Sequence, residues 1–279
     1  MFVLLALLLA GSLLGGLVVG LLSAVGVTLN NDWVMIVSYP LMFIPPMMYA
    51  SYAGRRNIMF DKGYSLDNSH YHPYGGFSLA VIAVIMVLSS AFVLDAVNSI
   101  LPPMPEWLEE TLKGLTTGNI WLNFICVSIF APIFEEWLCR GMVLRGLLNS
   151  TREDGTPLMS PTVAIVVSAL FFAVIHLNPW QAITAFAIGL LMGYVYYKTG
   201  SLKLTMLMHF TNNTFALVLG HIDSLKDVEN LRDVMTPWVY ALVWALNLVI
   251  VIAALYAFRN VETVRAQGSC DEVSPEIED

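Results

Sequence analysis

The feature that most constrains this chain is a succession of long apolar stretches joined by short polar connections. Of its 279 residues, 57% are hydrophobic and only 12% are charged, whereas a soluble domain carries about twice that share of charge. A helix needs about 20 apolar residues to cross a bilayer, and within the bilayer its backbone groups must be satisfied inside the segment. The sequence therefore predicts an all-α polytopic membrane protein.

By this length criterion we predict about eight transmembrane helices, which form a bundle around an intramembrane polar cavity. The predicted spans are 2–27, 33–53, 77–100, 120–138, 161–177, 180–197, 202–220 and 238–258. We expect the fourth to continue as an amphipathic helix to Leu148. Three regions follow: N-terminal helices and loops (1–118), a core (119–221), and a last helix with an acidic tail that we expect to be disordered (222–279).

The distribution of Lys and Arg predicts the orientation. Of the 13 such residues, nine lie on the side that eight spans assign to both termini, three lie on the other side, and Arg140 lies within a span. Positive charge collects on the cytoplasmic side, so we expect both termini in the cytoplasm. The absence of a eukaryotic retention signal favours a bacterial plasma membrane, and no basic patch suggests nucleic acid.

Glycines in the first predicted span leave the oligomeric state open. Gly11, Gly15, Gly16 and Gly20 fit the small-xxx-small pattern of close helix packing. That pattern suits packing within one chain and also suits a dimer face. We expect the packing to be within the chain, and the sequence does not set the oligomeric state.

Five ionisable residues lie inside these apolar stretches: Glu135, Glu136, Arg140, His176 and His209. A charge at the centre of a bilayer costs about 3 kcal/mol or more, so such residues usually face the protein interior and have a function. Carboxylates and imidazoles are also the groups that activate water. We therefore predict an intramembrane hydrolase.

Helical spacing separates the two carboxylates. Glu136 and Arg140 are four residues apart, on one face, with the acid on the N-terminal side, which favours an ion pair. A buried pair is tolerable, whereas either charge buried alone would be very costly. Glu135 points about 100° away and has no partner in its own helix. We therefore predict a structural Glu136–Arg140 pair and a working carboxylate at Glu135.

The two histidines lie in separate spans. His176 follows Phe172 by one turn, and His209 precedes Asn213 by one turn, so the amide is placed to orient the imidazole. An unpaired glutamate and two histidines on three spans favour hydrolysis. The alternative is a transporter or binding protein that uses the same residues as a proton relay, although transporters often carry inverted repeats and none is visible here.

Three short motifs in this region resemble those of one family. EEWLCR (135–140), FAVIH (172–176) and HFTNN (209–213) fit the EExxxR, FxxxH and HxxxN/D motifs of the CAAX-prenyl-protease and bacteriocin-immunity family, also called CPBP or Abi. Its members are intramembrane endopeptidases, and the resemblance covers about 130–215. It implies that 119–221 is the catalytic core. It also implies membrane-associated or prenylated (CAAX-type) peptide or protein substrates, or alternatively an immunity or scaffold role.

The resemblance also implies roles for individual residues. Glu135 and His176 would activate the attacking water, while His209 and Asn213 would stabilise the developing oxyanion or help to hold the site. The family is often labelled as metalloproteases, and a metal-free glutamate/histidine mechanism has also been proposed for it. Two possibilities stay open: no cofactor, or a zinc ion bound by Glu135, His176 and His209 with a position open for water.

The helix lengths raise a question about depth. His176 lies about 22 Å along its helix from Pro161, whereas His209 lies about 10 Å from Leu202, at 1.5 Å per residue. Full-length spans would place the two histidines at different depths. Their convergence requires either that the fourth and fifth helices project from the membrane or that a recessed hairpin ends near Asn178.

Overall fold

The computed structural model describes residues 2–55, 69–108, 118–222, 228 and 230–263. These residues are helical apart from turns and one isolated bridge between Thr151 and Pro157, so the all-α prediction is confirmed. Eight long helices lie within the described ranges: α1 Phe2–Ala24, α2 Asn31–Arg55, α3 Gly76–Asn98, α4 Ile120–Leu148, α5 Pro161–Ile175, α6 Pro179–Thr199, α7 Leu202–Leu219 and α8 Pro237–Arg259.

Five of these helices are long and apolar enough to cross a membrane, namely α1, α2, α3, α4 and α8, and α5 is a shorter apolar helix. The protein is therefore a multi-pass membrane protein. A count of eight spans, the cytoplasmic termini and the bacterial membrane remain predictions. The acidic tail predicted to be disordered falls mainly on residues 264–279, which lie outside the described residues.

Helix α4 reaches Leu148, as predicted, but it is not a uniform α-helix. Two π-helical segments, Phe124–Phe130 and Trp137–Leu144, flank the α-helical turn Ala131–Glu136. Such π segments are rare and occur frequently at functional sites. Residues 138–144 are all buried, so the second half of α4 is a central element of the bundle. The two glutamates of the first motif lie between the π segments.

Helices α5 and α6 form a tight antiparallel hairpin. The turn contains Leu177 at φ 52°, a left-handed conformation that is unusual for a bulky residue. Asn178 then caps α6 by accepting a hydrogen bond from the Trp180 N–H at 3.1 Å, and Pro179 occupies the first turn, where its missing N–H does no harm. The turn of the hairpin therefore lies immediately after His176, between the predicted spans 161–177 and 180–197. A recessed position of this hairpin in the membrane stays one of the two alternatives.

Close packing of α1 on α2 depends on two of the four glycines. A Cβ added at Gly11 would overlap the backbone carbonyl of Met42 in α2. A Cβ added at Gly15 would lie in tight contact with Ser38, one turn earlier in α2. At Gly16 and Gly20 an added Cβ would have no atom within 4 Å. Within the described residues, therefore, Gly11 and Gly15 serve packing inside the chain, whereas Gly16 and Gly20 do not.

Candidate active site

The first motif forms a buried ion pair. Nη1 of Arg140 donates to Oε1 of Glu136 at 2.8 Å, and both side chains are 0% exposed. Nη2 of Arg140 donates to the backbone carbonyl of Gly189 at 2.9 Å. The guanidinium carbon also lies 4.7 Å from the centre of the Phe172 ring, a cation–π distance. The pairing predicted from the i, i+4 spacing is present, and Arg140 also joins α4 to α5 and α6.

Glu136 has a second contact that the sequence analysis did not predict. Nδ1 of His209 lies 3.0 Å from the same Oε1 atom that accepts from Arg140. An ionised carboxylate only accepts, so Nδ1 carries the proton, and in the neutral imidazole the lone pair lies on Nε2. Glu136 therefore orients His209, the task that the sequence analysis gave to the amide of Asn213.

Glu135 has its two oxygens in different surroundings. Oε1 accepts a hydrogen bond from the hydroxyl of Tyr39 in α2. Oε2 lies 3.9 Å from Nε2 of His209, and it is buried without a hydrogen bond among the described residues. The Glu135 side chain is 12% exposed. Sequence reasoning missed Tyr39, because it lies 96 residues before Glu135 and belongs to no motif.

His176 is held by the residue one turn before it. Nδ1 lies 2.7 Å from the backbone carbonyl of Phe172, and because a carbonyl only accepts, Nδ1 carries the proton and Nε2 the lone pair. The Phe172 ring also meets both imidazoles edge-on, with centroids 4.9 Å from His176 and 5.5 Å from His209. The phenylalanine of the second motif therefore packs against both histidines.

Asn213 satisfies a backbone carbonyl in the first π segment that has no donor within its own helix. In that segment the N–H of Ala131 bonds the carbonyl of Cys126, so the next carbonyl, that of Val127, would need a donor from Pro132, which has no N–H. Nδ2 of Asn213 donates to this Val127 carbonyl at 2.9 Å. The asparagine of the third motif therefore fastens α7 to the irregular part of α4.

The three residues considered as zinc ligands are not arranged as a ligand set. Glu135 and His209 approach each other, but across the described part of the chain no group of three or more His, Cys, Asp or Glu side chains is placed to hold a metal ion. Nδ1 of His176 donates to the Phe172 carbonyl, which leaves Nε2 as the ring nitrogen with a lone pair. A zinc ion at these residues stays a prediction.

Comparison with known proteins agrees with the motifs. Residues 117–215 match the model of the Rce1-like family, which is described as type II CAAX prenyl endopeptidase. No curated protein and no solved structure matches the chain. The matched segment runs from the start of α4 into α7 and contains all the motif residues described above. This segment, about a third of the chain, is therefore similar to the type II CAAX prenyl endopeptidase family.

Proposed function

We propose that this protein is an intramembrane endopeptidase that uses Glu135 and His176 to activate water against a peptide bond. Its substrates are membrane-associated or prenylated, CAAX-type peptides or proteins. One observation carries the proposal. Glu135 keeps one carboxylate oxygen without a hydrogen bond among the described residues, and that oxygen faces Nε2 of His209 at 3.9 Å.

The distance between these two atoms suits a bridging water. At 3.9 Å, Oε2 of Glu135 and Nε2 of His209 are too far apart for a direct hydrogen bond, and a single water oxygen can contact both. Oε2 takes a proton as the water oxygen attacks the carbonyl carbon. We assign His176, whose Nε2 carries a lone pair and whose ring packs on the same Phe172 as His209, to assist Glu135 in this step. The protonated Glu135 then returns its proton to the leaving amine.

His209 is the group best suited to the developing oxyanion. Its Nδ1–H points to the buried carboxylate of Glu136, and such a carboxylate holds an imidazole in one orientation and stabilises its protonated form. In that form Nε2 donates a hydrogen bond, and a preorganised donor in a dry site stabilises an oxyanion strongly. Asn213 then serves the site by fixing the π segment of α4.

The charges of the cluster support this assignment. Glu135 and Glu136 carry two negative charges, and Arg140 carries one positive charge. Protonation of His209 makes the group of four neutral, which lowers the cost of holding it in a buried, low-dielectric site. A proton on His209, which faces both carboxylates, would therefore balance the spare negative charge that the motif alone leaves.

The test is cleavage of a prenylated CAAX-type peptide by the purified protein, with Glu135→Gln as the variant. The amide keeps the shape but cannot take a proton, so turnover should fall by about 100-fold or more, while the thermal unfolding midpoint stays close to wild type. Glu153→Gln, in an exposed loop, is the matched control and should leave turnover unchanged. An active Glu135→Gln protein would overturn the mechanism. A wild-type protein that cleaves no membrane-associated peptide would favour the proton-relay alternative.

A further inference from the structure

Helix α2 reaches the candidate site from outside the segment that matches the family. Residues 117–215 carry the match, and α2 covers Asn31–Arg55. The hydroxyl of Tyr39 in α2 nevertheless donates to Oε1 of Glu135, the residue that the proposed mechanism uses as base. A group that contacts the base without contacting the substrate acts by positioning it.

We propose that Tyr39 is a positioning residue that determines which oxygen of Glu135 activates water. The inference depends on the proposed function, because it concerns the same carboxylate. With Oε1 held by Tyr39, the rotation of the carboxylate is fixed, and Oε2 is the oxygen presented to Nε2 of His209. Without the hydroxyl, the carboxylate can rotate about its last side-chain bond, a broad and soft torsion.

An aromatic series holds the Tyr39 ring in place. Its centroid lies 5.6 Å from that of Phe43, one turn further along α2. Phe43 is fully buried and stacks at 5.1 Å on Phe134, the neighbour of Glu135 in α4. The donor and the carboxylate are therefore fixed relative to each other by packing between the two helices, independently of their own hydrogen bond.

A second contact joins α2 to α4 at their N-terminal ends. Oδ2 of Asp32 accepts a hydrogen bond from the backbone N–H of Asn119 at 2.9 Å, and Asn119 caps α4 by accepting from the N–H groups of Trp121 and Leu122. Helix α2 is thus connected to α4 at two points: the N-cap residue Asn119 and the proposed catalytic base Glu135. This arrangement gives Tyr39 a supported position, as a group that orients a catalytic residue requires.

The test compares Tyr39→Phe with Tyr49→Phe, in which the same atom is removed from a tyrosine elsewhere on α2 that packs against the core. Phenylalanine keeps the ring contacts of Tyr39 and removes only the donor. For Tyr39→Phe we expect kcat to fall by about 10- to 100-fold, the range for a misplaced catalytic group, with KM unchanged. Tyr49→Phe should change neither constant. All values refer to folded protein, quantified by thermal unfolding.

Each outcome of this comparison is informative when Glu135→Gln is measured alongside. A reduced kcat in Tyr39→Phe with an inactive Glu135→Gln supports the inference. A normal kcat in Tyr39→Phe with an inactive Glu135→Gln overturns the role of Tyr39 and leaves the proposed function standing. An active Glu135→Gln overturns both. If Tyr39→Phe does not accumulate as folded protein, or raises KM alone, Tyr39 is a structural or substrate-binding residue and the inference is wrong.

Discussion

The two contacts of Glu136 lead to the most demanding prediction. Glu136→Gln removes the carboxylate that faces both Arg140 and His209, and it leaves a guanidinium that is 0% exposed without a counter-charge. Breaking a buried ion pair from one side costs about 3–5 kcal/mol. The glutamine oxygen can still accept a neutral hydrogen bond worth about 1 kcal/mol, and the contacts of Arg140 with the Gly189 carbonyl and the Phe172 ring remain. We therefore expect a loss of about 2–4 kcal/mol in unfolding free energy.

A double variant separates the two contacts. Glu136→Gln with Arg140→Met removes both charges of the pair, and exchange of a whole buried pair for neutral groups is often neutral or stabilising. Stability should therefore return towards wild type. Turnover should stay low, by about 100-fold or more, because His209 still lacks the carboxylate that orients it and stabilises its charged form. Thermal unfolding and peptide cleavage are measured on the same purified preparations.

Two results would refute this reasoning. If Glu136→Gln unfolds at the wild-type temperature, Arg140 does not depend on the buried carboxylate in the way that the 2.8 Å contact indicates. If the double variant recovers turnover together with stability, Glu136 is only the partner of Arg140, and its contact with His209 does not contribute to turnover.

Two further predictions concern metal and helix packing. Chelators should leave the activity of the purified protein unchanged, because the mechanism uses side chains alone; loss of activity on chelation with recovery on added zinc would contradict it. Gly11→Val should lower the unfolding temperature, because its Cβ overlaps the backbone of Met42, whereas Gly16→Val, where an added Cβ has no atom within 4 Å, is the matched control and should not. Equal effects of the two glycine substitutions would show that the α1–α2 contact does not depend on the close approach at Gly11.

Apolar length and four-residue spacing predicted much of what the structure contains. The helical class, the continuation of α4 to Leu148 and the pairing of Glu136 with Arg140 follow from patterns within one helix. Such patterns are local, so a single sequence displays them directly. The family motifs are local as well, and their recognition is confirmed by the match over residues 117–215.

The contacts that sequence reasoning missed are those that join distant helices. Tyr39 reaches Glu135 across 96 residues, and Glu136 meets His209 across 73. Which face of α4 meets α7 depends on the two π segments, since each changes the rotation of the helix beyond it. Pro132 was visible in the sequence, but only the structure reveals that the carbonyl it leaves without a donor is satisfied by Asn213.

Helix α5, which carries Phe172 and leads to His176, is shorter than the hydrocarbon core of a typical bilayer. Its 15 residues measure about 22 Å, some 8 Å less than a typical hydrocarbon core, and Leu177 at its turn is 78% exposed. If α5 begins at one interface, a helix of this length ends short of the other, and a bilayer accommodates such an element by thinning. We therefore expect acyl-chain length to set how far water travels to reach His176, so that activity in vesicles depends on bilayer thickness.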